Sequence, residues 1–124
     1  MAQKDNEATI REFVAAWSRL DPSELAGYFC EDGTYHNMPA APVKGRSNIE
    51  KMIAGFISSW TETRWEIVHL LSRGDVVIAE RVDRTWAGER SVDLPCTGVF
   101  EMREGKIAVW RDYFDLGTYM RALG

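Results

Sequence analysis

Arg81 and Asp83 stand two residues apart in Ala79-Glu80-Arg81-Val82-Asp83-Arg84-Thr85, and a second aspartate, Asp112, follows in Trp110-Arg111-Asp112-Tyr113-Phe114. Both runs are rich in β-branched and aromatic residues, the texture of a strand. A strand sends alternate side chains to one face, so Ala79, Arg81, Asp83 and Thr85 share a side. By the same parity Ala108, Trp110, Asp112 and Phe114 share a face, and the apolar company of Asp112 marks that face as the inner one. Between these runs Val92, Leu94, Cys96 and Phe100 alternate with Asp93 and Thr97, an apolar lining of the same period. Earlier in the chain Tyr35 and Asn37 point one way and His36 the other.

Three charges and two polar groups on one inner wall define a chemistry. The planar fork of Arg81 can bridge two carboxylates and keeps its charge at any working pH. Two ionised aspartates beside it would leave one net negative charge in a dry pocket, so one of them should hold a proton. An acid and a base then arise from one residue type. The pair suits the opening of a strained ring by water, with the ionised aspartate taking a proton from water and the protonated one donating to the departing oxygen. Asn37 can both accept from and donate to that water, and Tyr35 can hold it through its hydroxyl. Arg81 and Asp83 alone would read as an exposed charge pair. The independent arrival of Asp112, Tyr35 and Asn37 on the same face argues otherwise, because five polar groups idle in an apolar cup would carry a large desolvation cost.

The elements that must position these groups follow from periodicity and turn chemistry. From Asn6 onward Ile10, Phe13, Val14, Trp17 and Leu20 recur at helical spacing. Asp21-Pro22-Ser23-Glu24 reads as an N-cap, a proline at the first helical position and a glutamate placed for a capping box, starting a short helix that runs to about Phe29. Glu31-Asp32-Gly33 reads as a turn, residues 34–38 as a short strand, and residues 39–45 as a loop begun by Pro39. Ile49, Met52, Ile53, Phe56, Ile57 and Trp60 predict a third helix covering one face of a sheet, capped by Ser47 or Asn48. Turn signals at Arg73-Gly74-Asp75, Ala87-Gly88-Glu89 and Glu104-Gly105-Lys106 divide the remainder into strands over about 63–72, 76–86, 90–103 and 106–115, with a terminal helical turn or two over 116–123. The plan is α+β: a curved sheet forming a cup, with helices on one side.

Composition excludes several classes. The chain has 124 residues, enough for one domain with a core of its own and no internal boundary. A net charge of −4 and no basic stripe argue against a nucleic-acid partner. The N-terminal residues lack the apolar run of a signal peptide and no stretch is long enough to span a membrane, so a soluble, cytoplasmic protein is expected. Cys30 and Cys96 read as small buried hydrophobes rather than a disulfide. His36 and His69 read as structural, because no ligand cluster stands at metal spacing, and no Gly-rich phosphate loop, Ser-His-Asp set or Cys-His pair occurs. No metal and no cofactor are expected. Asp115 has the opposite parity from Asp112 and reads as a solvated or turn carboxylate.

Tyr35-His36-Asn37-Met38-Pro39, Arg81-Val82-Asp83 and Gly98-Val99-Phe100, with Glu104-Gly105-Lys106-Ile107 and Trp110-Arg111-Asp112-Tyr113-Phe114-Asp115, together resemble the limonene-1,2-epoxide hydrolase family over nearly the whole chain. The resemblance implies a cone similar to the nuclear transport factor 2 and ketosteroid isomerase group, with a six-stranded mixed sheet, three to four helices inside its curve, and a homodimer. It implies that Asp112 activates water with Tyr35 and Asn37, that Asp83 protonates the epoxide oxygen, and that Arg81 orients both. The implied reaction adds water in one step to a small apolar epoxide, cyclic or terpenoid, giving a vicinal diol without a covalent ester. Met38, Leu94, Cys96, Trp110 and Phe114 are expected against the substrate. In the lining, Cys96 and Thr85 stand where larger aliphatics are common in the family. The same fold hosts isomerases, dehydratases and non-catalytic small-molecule carriers, which remain the alternatives. An isomerase would need one free aspartate base, and a carrier has no reason to bury three charges.

Overall fold

The computed structural model describes residues 2–124, with side chains from residue 5 onward. Helix α1 (Ala2–Ala16) buries Ile10, Phe13 and Val14 along one stripe. It begins before the Asn6 start that periodicity predicts, because the preceding Ala, Gln and Lys favour helix without contributing to an apolar period. The chain then tightens into a 3₁₀ turn, Trp17–Arg19, and stops at Leu20, whose left-handed φ of 51° directs its N–H to the Trp17 carbonyl at 3.1 Å.

Helix α2 (Pro22–Ala26) has the expected start: the Asp21 carboxylate accepts from the Ser23 and Glu24 amides at 3.1 and 3.3 Å. The rest of the expected capping box is not made. Glu24 turns instead to Arg19, which donates to its two carboxylate oxygens at 2.9 and 2.6 Å. The helix also ends at Ala26, short of Phe29, because Phe29 already opens strand β1 (Phe29–Asn37).

Glu31-Asp32-Gly33 is therefore no free turn. It is an irregularity inside β1, where the register against the neighbouring strand shifts between Phe29 and Thr34. Gly33 is required there, since a Cβ would fall 3.0 Å from the Cys30 carbonyl and 3.1 Å from that of Ile107. A bulge and a turn use the same residue types, so the sequence does not separate them. Within the expected loop, Val43–Lys44 forms a two-residue strand, β2, paired antiparallel with Thr34 and Tyr35.

Helix α3 (Arg46–Phe56) starts after Gly45 at φ 95° and has no side-chain cap; Asn48 donates instead to the Lys44 carbonyl at 3.0 Å. Arg46 ties the helix to the sheet by donating to the Phe29 carbonyl at 3.0 and 2.7 Å. Strands β3 (Glu62–Arg73), β4 (Val76–Ala87) and β5 (Arg90–Arg103) match the expected limits within a residue or so. Strand β6 (Lys106–Tyr113) is two residues shorter than expected, because Asp115 caps helix α4 (Leu116–Leu123) through the Thr118 amide at 3.0 Å.

The six strands form one mixed sheet in the order β2-β1-β6-β5-β4-β3. Neighbours are antiparallel except β1 and β6, which run parallel and join the two ends of the chain. The natural twist of such a sheet curls it, and α1 and α3 fill its concave side with one continuous core. Aromatic rings hold the centre: Trp110 stacks between Tyr35 at 4.2 Å and Phe100 at 5.2 Å, with the Phe13 edge against it at 5.1 Å. Among the described residues no helix is long and apolar enough to cross a membrane. Since Phe13 is fully buried at the centre of this cluster, Phe13→Ala should lower the unfolding free energy by about 3–5 kcal/mol, read from the urea midpoint, by lost burial and the cavity left behind.

Candidate active site

Alternation along β4 is strict. Val77, Ala79, Arg81, Asp83 and Thr85 are buried, whereas the residues between them face outward. Register carries the other groups to the same place. Arg81 lies opposite Cys96 and Asp83 opposite Leu94 across the β4–β5 pair, Gly98 lies opposite Asp112 across β5–β6, and Asn37 lies beside Asp112 across the parallel β1–β6 pair. All five predicted groups thus come together on the concave face: Arg81, Asp83, Asp112, Tyr35 and Asn37.

Arg81 uses both edges of its fork. Nε and Nη2 donate to Asp83 Oδ1 and Oδ2 at 2.9 and 2.8 Å, and Nη1 and Nη2 donate to Asp112 Oδ1 and Oδ2 at 3.0 and 2.9 Å. Relative exposures of 1, 5 and 3 % for Arg81, Asp83 and Asp112 place the cluster out of bulk water. To reach Asp112 the guanidinium crosses the intervening strand β5, and Gly98 leaves the gap: a Cβ there would stand 2.9 Å from Arg81 Nη1 and 2.7 Å from the Trp110 indole nitrogen. The Trp65 ring lies against the guanidinium with its centroid 4.6 Å away, and Trp110 at 5.7 Å adds a second aromatic face. Trp17 stacks in turn on Trp65 at 4.2 Å, so the core holds the plane of the fork.

Burial and neighbouring charges act on the cluster together. Burial alone would discharge Arg81, but the Asp112 and Asp83 carboxylates hold its pKa well above the ordinary value. Burial raises the Asp83 pKa above the usual carboxylate range, against the pull of Arg81. Burial, and then the Asp112 charge, push the Tyr35 phenol well above its ordinary value, so it remains neutral, within hydrogen-bond reach of Asn37. Carboxylate oxygens of Asp83 and Asp112 and the Cys96 sulfur also fall within 4.8 Å of one another, a spacing open to a cation. Arg81 already supplies a fixed cation to these carboxylates through four hydrogen bonds.

Above the cluster lies a small cavity. Its wall includes Leu94, Cys96 and Phe114, as expected, together with Tyr35, Asn37, Asp83 and Asp112. The two other expected contacts are not in that wall. Trp110 has the right parity but is fully buried against Tyr35 and Phe100 and does not line the cavity. Met38 follows the last residue of β1, where strand parity no longer directs its side chain, and is half-buried away from the cavity. Phe56, Trp60, Trp65, Val92 and Tyr119 complete the wall with Thr85. The inward parity of Trp65 was available from the alternation Thr63, Trp65, Ile67. Tyr119 had no such signal: helix α4 brings it over the cavity, where it accepts from Trp60 Nε1 at 2.9 Å.

Asp115, His36 and His69 stay outside the cluster. Asp115 caps α4, His36 bonds the Ala40 carbonyl at 2.9 Å, and His69 pairs with Glu80 at 2.7 Å. Cys30 and Cys96 are both buried free thiols.

The family model described as the limonene-1,2-epoxide hydrolase catalytic domain matches residues 4–124. A relative from Mycobacterium tuberculosis (strain ATCC 25618 / H37Rv), epoxide hydrolase EphG, is 40 % identical over 114 residues, covering 92 % of this chain and 76 % of that protein. In fold, the chain is similar to an LEH-like epoxide hydrolase from M. tuberculosis, with a TM-score of 0.85 at 22 % identity over 98 % of this chain and 90 % of that one. It is also similar to a hypothetical protein with a ketosteroid isomerase-like fold from Catenulispora acidiphila DSM 44928, with a TM-score of 0.83 at 23 % identity over 92 % of this chain and 90 % of that one. With a family match that spans all but its first three residues, the chain belongs to the limonene-1,2-epoxide hydrolase family.

Proposed function

We propose that this chain is an epoxide hydrolase that adds water in one step to a small cyclic or terpenoid epoxide and releases a vicinal diol. The observation that carries the reading is one guanidinium holding two buried carboxylates by four hydrogen bonds at the floor of a largely apolar cavity. With one proton on the pair the cluster is neutral, and that proton makes one carboxyl an acid and the other a base. The raised pKa of Asp83 supports reading it as the acid. Asp112, beside Asn37 in the sheet, is the base.

In this mechanism water held by Asp112, Asn37 and Tyr35 attacks one epoxide carbon. Its proton passes to Asp112 as the new C–O bond forms, while the opposite C–O bond breaks and its oxygen takes the proton of Asp83. The two aspartates end with exchanged protonation states, and one proton transfer between them or through solvent resets the site. Arg81 keeps both carboxylates in place throughout, and the apolar walls bind the hydrocarbon part of the substrate. An isomerase would require a free base, whereas here each carboxylate is held by two bonds from a permanent cation.

We further propose a homodimer through the outer side of the sheet, where Val68, Leu71, Val76, Ile78 and Tyr113 are exposed among ion pairs such as His69–Glu80 and Arg111–Glu101. Leu71 and Ile78 lie directly opposite each other across β3–β4 and form the apolar centre of that face.

Asp83→Asn and Asp112→Asn should each lower diol formation from limonene oxide or cyclohexene oxide by at least about 10²–10⁴-fold with the circular dichroism spectrum unchanged; a variant keeping most of its activity removes that residue from the mechanism. In oxygen-18 water, a single turnover should place the label in the diol, whereas label in an aspartate would mean a covalent ester. Because burial raises the Asp83 pKa, kcat/KM should fall as pH rises through that value and strips the acid of its proton; a rate that kept climbing with pH would assign the acid elsewhere. Light scattering should give twice the monomer mass for the wild type and the monomer mass for Leu71→Lys/Ile78→Lys, and an unchanged mass in the variant would move the interface to another face.

A further inference from the structure

Cys96 lines the cavity with a thiol that the mechanism above does not use. It faces Arg81 across β4–β5 and is 4 % exposed. Its sulfur stands 3.4 Å from Asp83 Oδ2 and 3.4 Å from the Leu94 carbonyl oxygen, two acceptors at equal distance for a single S–H proton. A charged acceptor binds a donor roughly twice as strongly as a neutral one, so the charge on Asp83 decides between them.

We propose that Cys96 is a positioning residue for the acid: its thiol bonds the Leu94 carbonyl while Asp83 is protonated and turns to Asp83 Oδ2 once that proton has gone to the epoxide oxygen. This rests on Asp83 being the acid, as proposed above. Oδ2 accepts from Arg81 Nη2 and lies within reach of the thiol, whereas Oδ1 accepts from Arg81 Nε alone. In this proposal Oδ1 carries the transferable proton, which leaves Oδ2 open to the thiol. When that O–H bond breaks, its proton passes to the epoxide oxygen as the C–O bond at the attacked carbon breaks, and the new carboxylate is met by two Arg81 N–H groups and a third donor that has only to rotate. The S–H bond stays intact and no bond from sulfur to carbon forms. Burial, and next the Asp83 charge, raise the thiol pKa, which leaves it a donor and a poor nucleophile beside an epoxide.

The groups that face Asp83 are Arg81 from its own strand, Cys96 from β5, Asp112 from β6 and Tyr35 from β1, while Tyr119 of α4 shares the cavity. From β3 and α3 the cavity receives Trp65 and Phe56, which do not titrate. Among these, Cys96 is the neutral donor to Asp83.

The first test needs no substrate. The infrared S–H stretching band of Cys96, isolated from that of Cys30 by subtracting the spectrum of Cys96→Ala or Cys96→Ser, should move to lower frequency and intensify as pH rises through the ionisation of Asp83. In Asp83→Asn it should not respond to pH. A band that stays fixed in the wild type overturns the proposal, whether or not the chain hydrolyses epoxides. The second test is the pH profile of kcat on cyclohexene oxide. Without the donor the carboxylate is less stable, so Cys96→Ala should shift the basic limb upward by about half to one pH unit and lower kcat by about three- to tenfold. Cys96→Ser, with a stronger donor, should bring the limb back to or below its wild-type position. Limbs that coincide in all three proteins overturn the proposal, since a packing role would lower activity without moving them. Absence of diol from the wild type would strike the hydrolase reading and leave the infrared titration to judge Cys96.

Discussion

A guanidinium that cannot lose its proton sits between two carboxylates inside the protein, and the surrounding structure is arranged around that fact. Removing three ionisable groups from water is costly, and an ion pair of this kind is a weak source of stability. The cost is contained by stoichiometry and geometry together. Four hydrogen bonds of 2.8–3.0 Å use most of the donors of Arg81, and a single proton shared by the aspartates would bring the net charge to zero. In the proposed mechanism that proton is also the reagent, so the feature that would make burial tolerable is the one that would give the site an acid and a base.

The sheet accommodates this cluster through small residues and aromatic rings placed in register. Arg81 and Asp112 are on strands separated by β5, and the fork passes over it because Gly98 has no side chain. Trp65 and Trp110 flank the guanidinium, and the stack from Tyr35 through Trp110 to Phe100 runs directly beneath. A planar cation suits these faces better than a hydrated ammonium would. Core packing and site geometry are therefore one arrangement: α1 delivers Phe13 and Trp17 to the same rings that orient Arg81.

The parallel pairing of β1 with β6 has a comparable importance. It brings a strand from the first third of the chain beside one from the last, which sets Asn37 next to Asp112 and Tyr35 over Trp110. A purely antiparallel meander of β3 to β6 would hold the three charges without these polar neighbours. Helix α4 then closes the open side, where Tyr119 meets Trp60 and Phe56. The result is a cavity polar at one end and aromatic or aliphatic elsewhere, as binding a compact apolar molecule requires.

Strand parity is a local property, and it placed Arg81, Asp83, Asp112, Tyr35 and Asn37 on an inner face before any fold was known. The long strands and the helical stripes were legible for the same reason, since period 2 and period 3.6 depend on backbone geometry alone. What parity does not carry is distance from the floor or the course of a chain beyond its strand. Trp110 shares a face with Asp112 yet does not line the cavity, and Met38 falls just past the last residue of β1. Glu31-Asp32-Gly33 shows a second limit: a bulge and a turn demand the same residues, and only the partner strand β6 distinguishes them. The residue types and their alternation determined which side chains face inward and hence which chemistry is available. Tertiary structure alone decided the register that lets Arg81 cross at Gly98, the depth at which burial raises Asp83, and the approach of Cys96 and Tyr119, because these depend on contacts between segments that no local period encodes.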